Sequence, residues 1–273
     1  MWLVYNIVFA VGFLVTLPYY LMRMARRGGY RRGFLQRVGI YDAALLMQLQ
    51  DRPRIWIHAV SVGEVGVALK FMEAIRIRIP GSAFVLSTTT STGHALAARA
   101  LPPGDALIYY PVDFPPIIRR VLRIMRPSAL ILTEGELWPN MIRMVRERGL
   151  PLAVINGRLS NKSFRGYRRA GVFMRKPLRM ISHFYMQNET DAGRIRALGV
   201  GPDQITVLGS AKYDGAAPDC QARDHARGLL AMAGYAATDT VMLGGSTWPG
   251  EEAILLDIYR ELKPSHPALK LVL

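Results

Sequence analysis

Short apolar runs alternate with amphipathic stretches along most of the chain, and this alternation constrains the fold more than any other feature. The runs are continuous in Ile, Val, Leu or aromatic residues, which predicts strands buried on both faces of a parallel sheet. They cover residues 54–60, 83–87, 106–110, 129–133, 152–155, 184–187 and 205–208. Helix-like periodicity marks the stretches between them, including 65–79, 137–148 and 188–198. Strand–helix units in this order predict an α/β fold with helices packed on a parallel sheet.

The amino terminus carries an apolar segment, residues 2–22, that contains no charged side chain. Its length is close to the ~20 residues that a helix needs to span a bilayer. Trp2, Tyr19 and Tyr20 lie where interfacial aromatic residues belong. Basic residues follow directly and are expected to keep the rest of the chain in the cytoplasm: Arg23, Arg26, Arg27, Arg31, Arg32 and Arg37. We therefore expect an uncleaved membrane anchor.

Two other interpretations of this segment compete with the anchor. A cleaved signal peptide has basic residues before its apolar run and a small-residue cleavage site after it, and this segment has neither. An amphipathic helix lying on the membrane surface stays open as an alternative. Asn6 and Pro18 are poorly suited to a helix surrounded by lipid, so the anchor could be shallow or re-entrant.

A stretch of small residues, 214–222, has no periodicity and is predicted to be a linker between two domains. A new cycle follows it, with a helix near 222–233, a strand at 240–244, a helix over 249–262 and a strand from Leu269. The predicted organisation is a membrane anchor over 1–22, an amino-terminal domain over 23–213, the linker over 214–222 and the start of a second domain over 223–273. Because such a domain needs further strands to close a core, we expect the chain to be a fragment.

The chain is strongly basic, with 35 Lys and Arg residues against 20 Asp and Glu and a formal net charge of +15. Such a surface attracts phosphates, whether of nucleic acid, anionic lipid or a phosphorylated glycan. Basic and aromatic residues interleave from Lys162 to Arg179, which predicts a helix resting on an anionic lipid surface, with a solvated helix face as the alternative. The single cysteine, Cys220, excludes an internal disulfide and is predicted to be an inert linker thiol. His94 and the other histidines lack the spacing of metal ligands.

The sharpest local motif is HAVSVGEVG, residues 58–66, in which a buried strand ends in a small-residue loop that leads into a helix. Open parallel sheets place their ligand crevice at the carboxyl ends of the strands. Gly63 would let a substrate approach the backbone closely. Glu64, in the first helical turn, is stabilised as an anion by the helix dipole, and such a carboxylate can accept a proton from an attacking sugar hydroxyl. A simple helix-capping role for Glu64 fits the local pattern equally well.

Three further motifs lie at predicted strand ends. Glu134 and Glu136 straddle a glycine, an arrangement that is costly unless a cationic or hydroxylic group lies between them. Lys212 follows a strand beside the predicted linker and can act as a point charge for phosphate or carboxylate. Ser246 and Thr247 form a loop whose hydroxyls and amides can hold phosphate oxygens. Each motif, taken alone, also has a plainer explanation. Glu136 could be a first-turn acid of the next helix while Glu134 binds a buried backbone amide. Lys212 could be merely solvated, and the loop at Ser246 and Thr247 could only cap a helix.

The order of the motifs HAVSVGE, STTTSTGHALA, YYPVDFP, LTEGELWPN, INGRLSNKSFRGY, MQNETD, VLGSAKYD and GGSTWPGEE resembles the 3-deoxy-D-manno-octulosonic acid (Kdo) transferases of lipopolysaccharide biosynthesis. The resemblance runs from the anchor to the last residue. It implies a GT-B-like glycosyltransferase, with a complete amino-terminal Rossmann-like domain, the start of a second one and an amino-terminal membrane helix. It also implies inverting transfer of Kdo from CMP-Kdo to a lipid A precursor at the inner membrane, without a cofactor or a metal at the reacting centre.

The same resemblance implies roles for individual residues. Glu64 matches the proton acceptor, and Glu134 and Lys212 match positions that steady the transition state. Substrate-binding roles fall on Ser61, Gly63, Glu136, Arg158, Ser246 and Thr247.

This chain departs from the family pattern in two motifs, and the departures bear on what to expect. The family often has Glu-Thr-Glu where this chain has Gly135 between its acids, and a histidine-rich loop where this chain has Trp248. The main CMP-binding motifs of the family would follow Leu273. We therefore expect the 273-residue chain alone not to bind CMP strongly, which calorimetry can test.

Two rival functions keep the basic surface and the anchor. The first is a membrane-bound glycosyltransferase that uses another nucleotide sugar. The second is a non-enzymatic basic adaptor that binds nucleic acid or acidic lipid, and nucleic-acid binding would show a steep salt dependence. The sequence contains no recognisable DNA- or RNA-binding motif, so nucleic acid is not an expected partner.

Overall fold

Seven parallel strands form one sheet in the computed structural model of the chain, which describes residues 1–27, 33–50, 52–211, 220–236 and 238–273. Their order is β3-β2-β1-β4-β5-β6-β7. The strands are β1 (Ile55–Ala59), β2 (Phe84–Thr88), β3 (Ala106–Tyr109), β4 (Ala129–Thr133), β5 (Leu152–Gly157), β6 (His183–Met186) and β7 (Ile205–Val207). The register centres on β1, where Ile57 lies between Leu86 of β2 and Ile131 of β4. The predicted α/β fold with a parallel sheet is confirmed.

Helices cover both faces of this sheet because neighbouring strand residues point to opposite sides. Ile57 packs in a cluster on one face with residues of α4 and α5, and Trp56 belongs to a larger cluster on the other face. The ten helices described in this part of the chain are α1 (Trp2–Arg27), α2 (Phe34–Arg37), α3 (Ala43–Gln50), α4 (Val62–Arg78), α5 (Ser91–Ala100), α6 (Pro115–Met125), α7 (Pro139–Arg146), α8 (Asn161–Ala170), α9 (Val172–Met180) and α10 (Glu189–Ala197).

The amino-terminal helix α1 packs along the body of the sheet unit by one face. The Phe9 ring contacts the rings of Phe114 and Trp138 at centroid distances of 5.1 and 6.0 Å. Asn6 Oδ1 accepts a hydrogen bond of 2.7 Å from the side-chain amide of Asn140. Trp2, at the start of the helix, lies under the guanidinium of Arg143 at 4.8 Å. One face of α1 therefore contacts the rest of the larger unit.

The same helix is long and apolar enough to cross a membrane, by length and composition alone, over the stretch from Trp2 to Tyr19. It continues to Arg27, five residues beyond the predicted end of the anchor at Met22, and Pro18 lies inside it. Asn6 is poorly suited to a lipid-facing helix, but here its side chain is hydrogen-bonded to Asn140 of the larger unit. An apolar helix in this position fits a membrane anchor.

Two details of the predicted elements are wrong. The basic stretch from Lys162 to Arg179 forms two helices, α8 and α9, because Gly171 between them has φ of +55° and interrupts the helical backbone. Residues 220–222, predicted as the end of the linker, are helical, since the next helix begins at Cys220. Cys220 is thus an exposed helix residue and not a linker residue.

The chain divides into two compact units, Met1–Gly215 and Ala216–Leu273. The smaller unit contains α11 (Cys220–Met232), β8 (Thr240–Leu243), α12 (Glu251–Leu262) and β9 (Leu269–Val272). Strands β8 and β9 pair in parallel, with Val241 opposite Lys270. The Tyr235 hydroxyl donates a hydrogen bond of 2.7 Å to the Leu271 carbonyl and fixes the connection after α11 to the edge of this pair.

Candidate active site at the carboxyl ends of strands β1 and β4

The strand order reverses direction between β1 and β4, so the connections that follow these two strands run to opposite sides of the sheet. In open α/β sheets the ligand crevice forms at this point, outside the carboxyl ends of the strands. Glu64 lies in the first turn after β1, and Glu134 follows β4 directly. The fold therefore brings together two acids that are 70 residues apart in the sequence, and the charge of Glu134 acts on Glu64.

The carboxylate of Glu64 is held by three donors. Val60 N lies 2.9 Å from Oε2, Thr133 Oγ1 lies 3.2 Å from the same oxygen, and Ser61 Oγ lies 3.1 Å from Oε1. Only 8% of the residue is exposed. Ser61 is the residue that precedes α4, and its hydroxyl donates to Glu64 rather than capping the helix backbone. These contacts tie the loop after β1 to the end of β4 and fix the orientation of the carboxylate.

The pKa of Glu64 is raised above its ordinary value of 4.5. Burial is the largest cause and the charge of Glu134 adds to it, while the bonds from Val60, Ser61 and Thr133 act in the opposite direction. A raised pKa makes the ionised carboxylate a stronger proton acceptor. Val60 lies one residue before the N-cap residue Ser61, so this bond ties Glu64 to the loop after β1 and is not the bond of a capping box.

Glu134 occupies a tight turn between β4 and the end of β5. Its φ is +58°, in the left-handed region, and its backbone is fixed on both sides. Its amide donates to the Ile155 carbonyl at 3.0 Å, and the Arg158 amide donates to its own carbonyl at 3.3 Å. A residue that is not glycine stays in this conformation only where the surroundings impose it, and such residues cluster at functional sites.

Glu136 receives three side chains at a single oxygen, Oε2. His58 Nε2, Thr89 Oγ1 and Trp138 Nε1 lie 3.3, 3.3 and 3.2 Å from it. Burial acts to raise the pKa of Glu136, but the hydrogen bond and charge of His58, followed by the bonds from Trp138 and Thr89, outweigh it and leave the pKa below 4.5. The site thus pushes the pKa values of Glu64 and Glu136 apart, which is how neighbouring carboxyl groups acquire different roles.

Two residues that the sequence analysis did not select support this arrangement. His58 is fully buried, stacks on Tyr110 at 3.8 Å and contacts Ser87 through Nδ1 at 3.0 Å, so its Nε2 is aimed at Glu136. Asn156 lies at the end of β5 with φ of +50°. Its side-chain amide lies 3.4 Å from Glu134 Oε1, and its Oδ1 accepts a bond of 3.1 Å from Ala211 N. A polar residue at the end of a buried strand was the available signal for both.

The remaining predicted site residues fall in three places. Gly63 is exposed in the first turn of α4, and Arg158 is exposed just after β5, beside the Glu134 turn. Lys212 lies outside the residues that the structure describes, although its neighbour Ala211 is bonded to Asn156.

Ser246 and Thr247 belong to the smaller unit, in the loop between β8 and α12. The Thr247 hydroxyl donates to Glu252 Oε1 at 2.5 Å, and the pKa of Glu252 is lowered chiefly by this bond. Glu251 Oε2 accepts a bond of 2.8 Å from the amide of Trp248. These contacts tie the loop to the two acids of the first turn of α12, although the N-cap residue Gly250 makes no side-chain cap bond. The substrate-binding role of the loop stays a prediction.

Gly135 is confined by its surroundings. A β-carbon at this position would lie 2.9 Å from the carbonyl oxygen of Arg158, closer than such contacts allow. We therefore expect Gly135→Thr, which restores the residue that the family often has, to lower the free energy of unfolding by ~1–3 kcal/mol. Urea denaturation would measure this loss, and Gly66→Thr, where a β-carbon meets nothing within 4 Å, is the control. An unchanged midpoint would show that the turn adapts.

No group of three or more His, Cys, Asp or Glu side chains that could hold a metal ion occurs in the described part of the chain. His94 contacts Thr88 Oγ1 at 3.0 Å and stacks on Tyr109 at 3.9 Å. Burial, followed by the charge of Arg37, lowers the pKa of His94 to about 4. His94 is therefore a neutral packing residue near neutral pH.

The chain resembles known proteins both in fold and in sequence. The fold is similar to that of a UDP-GlcNAc 2-epimerase from Neisseria meningitidis solved bound to UDP-GlcNAc, with a TM-score of 0.56 and 10% identity, over 80% of this chain and 64% of that one. At this identity the likeness shows the fold alone, which is GT-B-like.

Sequence relatives are closer. A 3-deoxy-D-manno-octulosonic acid transferase of Bordetella pertussis is 32% identical over 78% of this chain and 49% of its own length. A bifunctional glycosyltransferase/methyltransferase of Fusobacterium nucleatum is 31% identical over 79% of this chain and 33% of its own length. The chain spans about half the length of the Kdo transferases that it matches. Residues 32–215 match the model of the 3-Deoxy-D-manno-octulosonic-acid transferase (kdotransferase) family. The chain therefore belongs to the Kdo transferase family.

Proposed function

We propose that the protein is a glycosyltransferase that transfers Kdo from CMP-Kdo to a lipid A precursor, with inversion at the anomeric carbon. The observation that supports this most strongly is the position of Glu64, Glu134 and Glu136 at the point where the strand order reverses, in a member of the Kdo transferase family.

In the proposed reaction Glu64 takes the proton of the acceptor hydroxyl while that oxygen attacks the anomeric carbon of Kdo. The bond between this carbon and the phosphate oxygen breaks, and its electron pair leaves with CMP. Glu134, beside Glu64, supports positive charge that develops on the sugar ring, and Lys212 balances the charge of the departing phosphate. This reaction uses no cofactor and no metal.

The remaining predicted residues are assigned to substrate binding. Ser61 and Gly63 line the site next to Glu64. Glu136 accepts hydrogen bonds from hydroxyl groups of the lipid-borne sugar. The exposed guanidinium of Arg158 suits a carboxylate or a phosphate of a substrate. Ser246 and Thr247 are proposed to contact the donor from the second domain.

The proposed location is the cytoplasmic face of the inner membrane, with α1 as the single anchor and the catalytic domains in the cytoplasm. Arg175, Lys176 and Arg179 line a pocket of about 480 Å³ together with Val172 and Met180, a combination suited to the anionic head groups of lipids. Lys176 also lies over the ring of Trp2 in α1, at 5.9 Å. The anionic membrane is therefore proposed as a partner, and nucleic acid is not.

The donor assignment can be tested with the full-length protein in vesicles that contain a lipid A precursor. Labelled CMP-Kdo is expected to transfer its sugar to the lipid, whereas labelled UDP-hexoses and other CMP-linked sugars are not. Transfer from another donor at a higher rate would favour the rival glycosyltransferase. Absence of transfer from every donor, with salt-sensitive binding to RNA or to acidic vesicles, would favour a non-enzymatic adaptor.

A further inference from the structure

A groove runs between α1 and the body of the larger unit, and the proposed reaction gives its apolar walls no role. Its volume is about 820 Å³, within the range of small-molecule sites. Most of its wall is apolar. Helix α1 forms one side with Val8, Phe9, Gly12, Phe13, Thr16 and Leu17. The body forms the other side, with Phe34, Val38, Val112 and Trp138 among its residues. We name this feature the α1 groove.

One end of the α1 groove is polar and lies at the candidate active site. Thr89, Thr90 and Glu136 line this end. The Thr89 hydroxyl donates to Glu136 at 3.3 Å, and the Thr90 hydroxyl donates to the Val60 carbonyl at 2.9 Å. Since Val60 N donates to Glu64, a single backbone residue separates the groove wall from the carboxyl group proposed as the base.

The opposite side of α1 is apolar and exposed. Val11, Leu14 and Val15 are 56–73% exposed and lie outside the groove lining. Val8 is both 65% exposed and part of the groove wall, so it marks a mouth that opens toward this apolar face. If α1 lies in the bilayer, the groove connects the lipid phase with the acids of the active site.

The geometry points to an acyl chain of the acceptor lipid as the occupant of the α1 groove, so that the membrane anchor forms one wall of the acceptor site. This inference rests on the proposed function, which supplies a lipid-borne sugar as the acceptor. An amphiphile fits the groove because the tail lies along apolar walls while its attached sugar lies at Glu136 and Thr89. The groove ends at Glu136, where the sugar of the acceptor lipid would bind. An acyl chain attached to that sugar therefore fits the groove better than the chain of a bulk phospholipid.

Gly12 offers a clean way to fill the groove. It lines the groove, and a β-carbon there would meet no heavy atom within 4 Å. Gly12→Phe is therefore expected to occupy the space of the chain without disturbing the packing of α1. Val11→Phe is the matched control, because it adds the same ring one residue away, on the exposed face of the same helix.

The test is photolabelling of the full-length protein in vesicles, with an acylated glucosamine disaccharide that carries a diazirine in mid-chain and without any donor. Mass spectrometry is expected to find the label on Phe9, Phe13 or Val112. Gly12→Phe is expected to lower this labelling at least tenfold, and Val11→Phe is expected to leave it unchanged. Each methylene removed from the chain is expected to weaken binding by up to about fourfold.

Two outcomes would overturn the inference. The first is a label confined to the outer residues Val11, Leu14 and Val15. The second is a phospholipid with the same diazirine chain that labels the groove equally well, because the groove would then be a site for bulk lipid. Photolabelling needs no sugar donor, so it separates the two proposals. Label in the groove without transfer from CMP-Kdo supports the groove and contradicts the proposed function, while transfer with label only on the outer face does the reverse.

Discussion

Under the proposed function, Glu64→Gln is expected to lower the rate of Kdo transfer by ~100- to 10,000-fold, the usual contribution of a general base. The amide is nearly the same size as the carboxyl group and can keep its partners. Its oxygen would accept from Val60 N and Thr133 Oγ1, and its nitrogen would donate to Ser61 Oγ. What it loses is the capacity to take a proton. Single-turnover transfer to the lipid acceptor is the measurement.

The competing role for Glu64 is that of a helix cap, and it predicts a different pair of results. If the carboxyl group only capped α4, Glu64→Ala would cost ~0.5–2 kcal/mol of stability and leave the transfer rate intact. Glu73→Gln, which changes an exposed acid on the same helix, is the matched control and should alter neither quantity. A normal rate in Glu64→Gln would remove the base from this position.

Asp113→Ala is expected to produce the largest loss of stability, ~3–5 kcal/mol. Asp113 is 2% exposed and caps α7 from a distant loop, because it accepts bonds from the amides of Asn140 and Met141 at 3.0 and 2.9 Å. The Tyr5 hydroxyl of α1 donates to the same carboxylate at 2.8 Å. Removal of the side chain leaves two buried amides unpaired, each costing ~1–3 kcal/mol. Chemical denaturation of the full-length protein would measure the loss.

Asp42→Ala is the control for this change. Asp42 also accepts a bond from a helix amide, that of Leu45 at 2.8 Å, but it is exposed, so its loss should cost only ~1 kcal/mol. Equal costs for the two aspartates would contradict the account of α7 and α1 meeting at Asp113. Tyr5→Phe removes the Tyr5 hydroxyl, so its loss of unfolding free energy measures what the bond from α1 to Asp113 contributes.

The effect of Asp113 also depends on pH. Burial raises the pKa of Asp113 from 3.8 to about 6, against the bonds from Asn140, Tyr5 and Met141. The folded state therefore binds more protons than the unfolded state between these two values. The measured quantity is the free energy of unfolding of the wild type minus that of Asp113→Asn. This difference should be largest below pH 3.8 and should fall by about 3 kcal/mol as the pH rises from 3.8 through 6. A pH-independent difference would contradict this.

The sheet could be predicted from the sequence because its signals are local. Seven apolar runs correspond to the seven parallel strands, and their ends differ from the prediction by only one or two residues. Glu64 and Glu134 could also be selected, since each follows a strand whose carboxyl end must face the crevice. The two acids lie close together because β1 and β4 are neighbours in the sheet. The pattern of apolar runs does not reveal this strand order.

The contacts of His58 and Asn6, which the sequence did not reveal, depend on long-range pairs. His58 is aimed at Glu136, 78 residues away, by its contacts with Tyr110 and Ser87. The polar residues of α1 have partners still farther along the chain, since Asn6 pairs with Asn140 across 134 positions. An apolar segment of this length looks lipid-facing on every side when it is considered alone. Only the folded chain shows that one side contacts protein.

The pH dependence of kcat/KM tests the role of Glu64 most directly. Because burial and the charge of Glu134 raise the pKa of Glu64, activity should decline as the pH falls through a value above 4.5. Glu134→Gln removes that charge and should move this acidic limb to lower pH, whatever it does to the maximal rate. A limb at or below 4.5, or one that stays in place in Glu134→Gln, would contradict the assignment of Glu64 as the base.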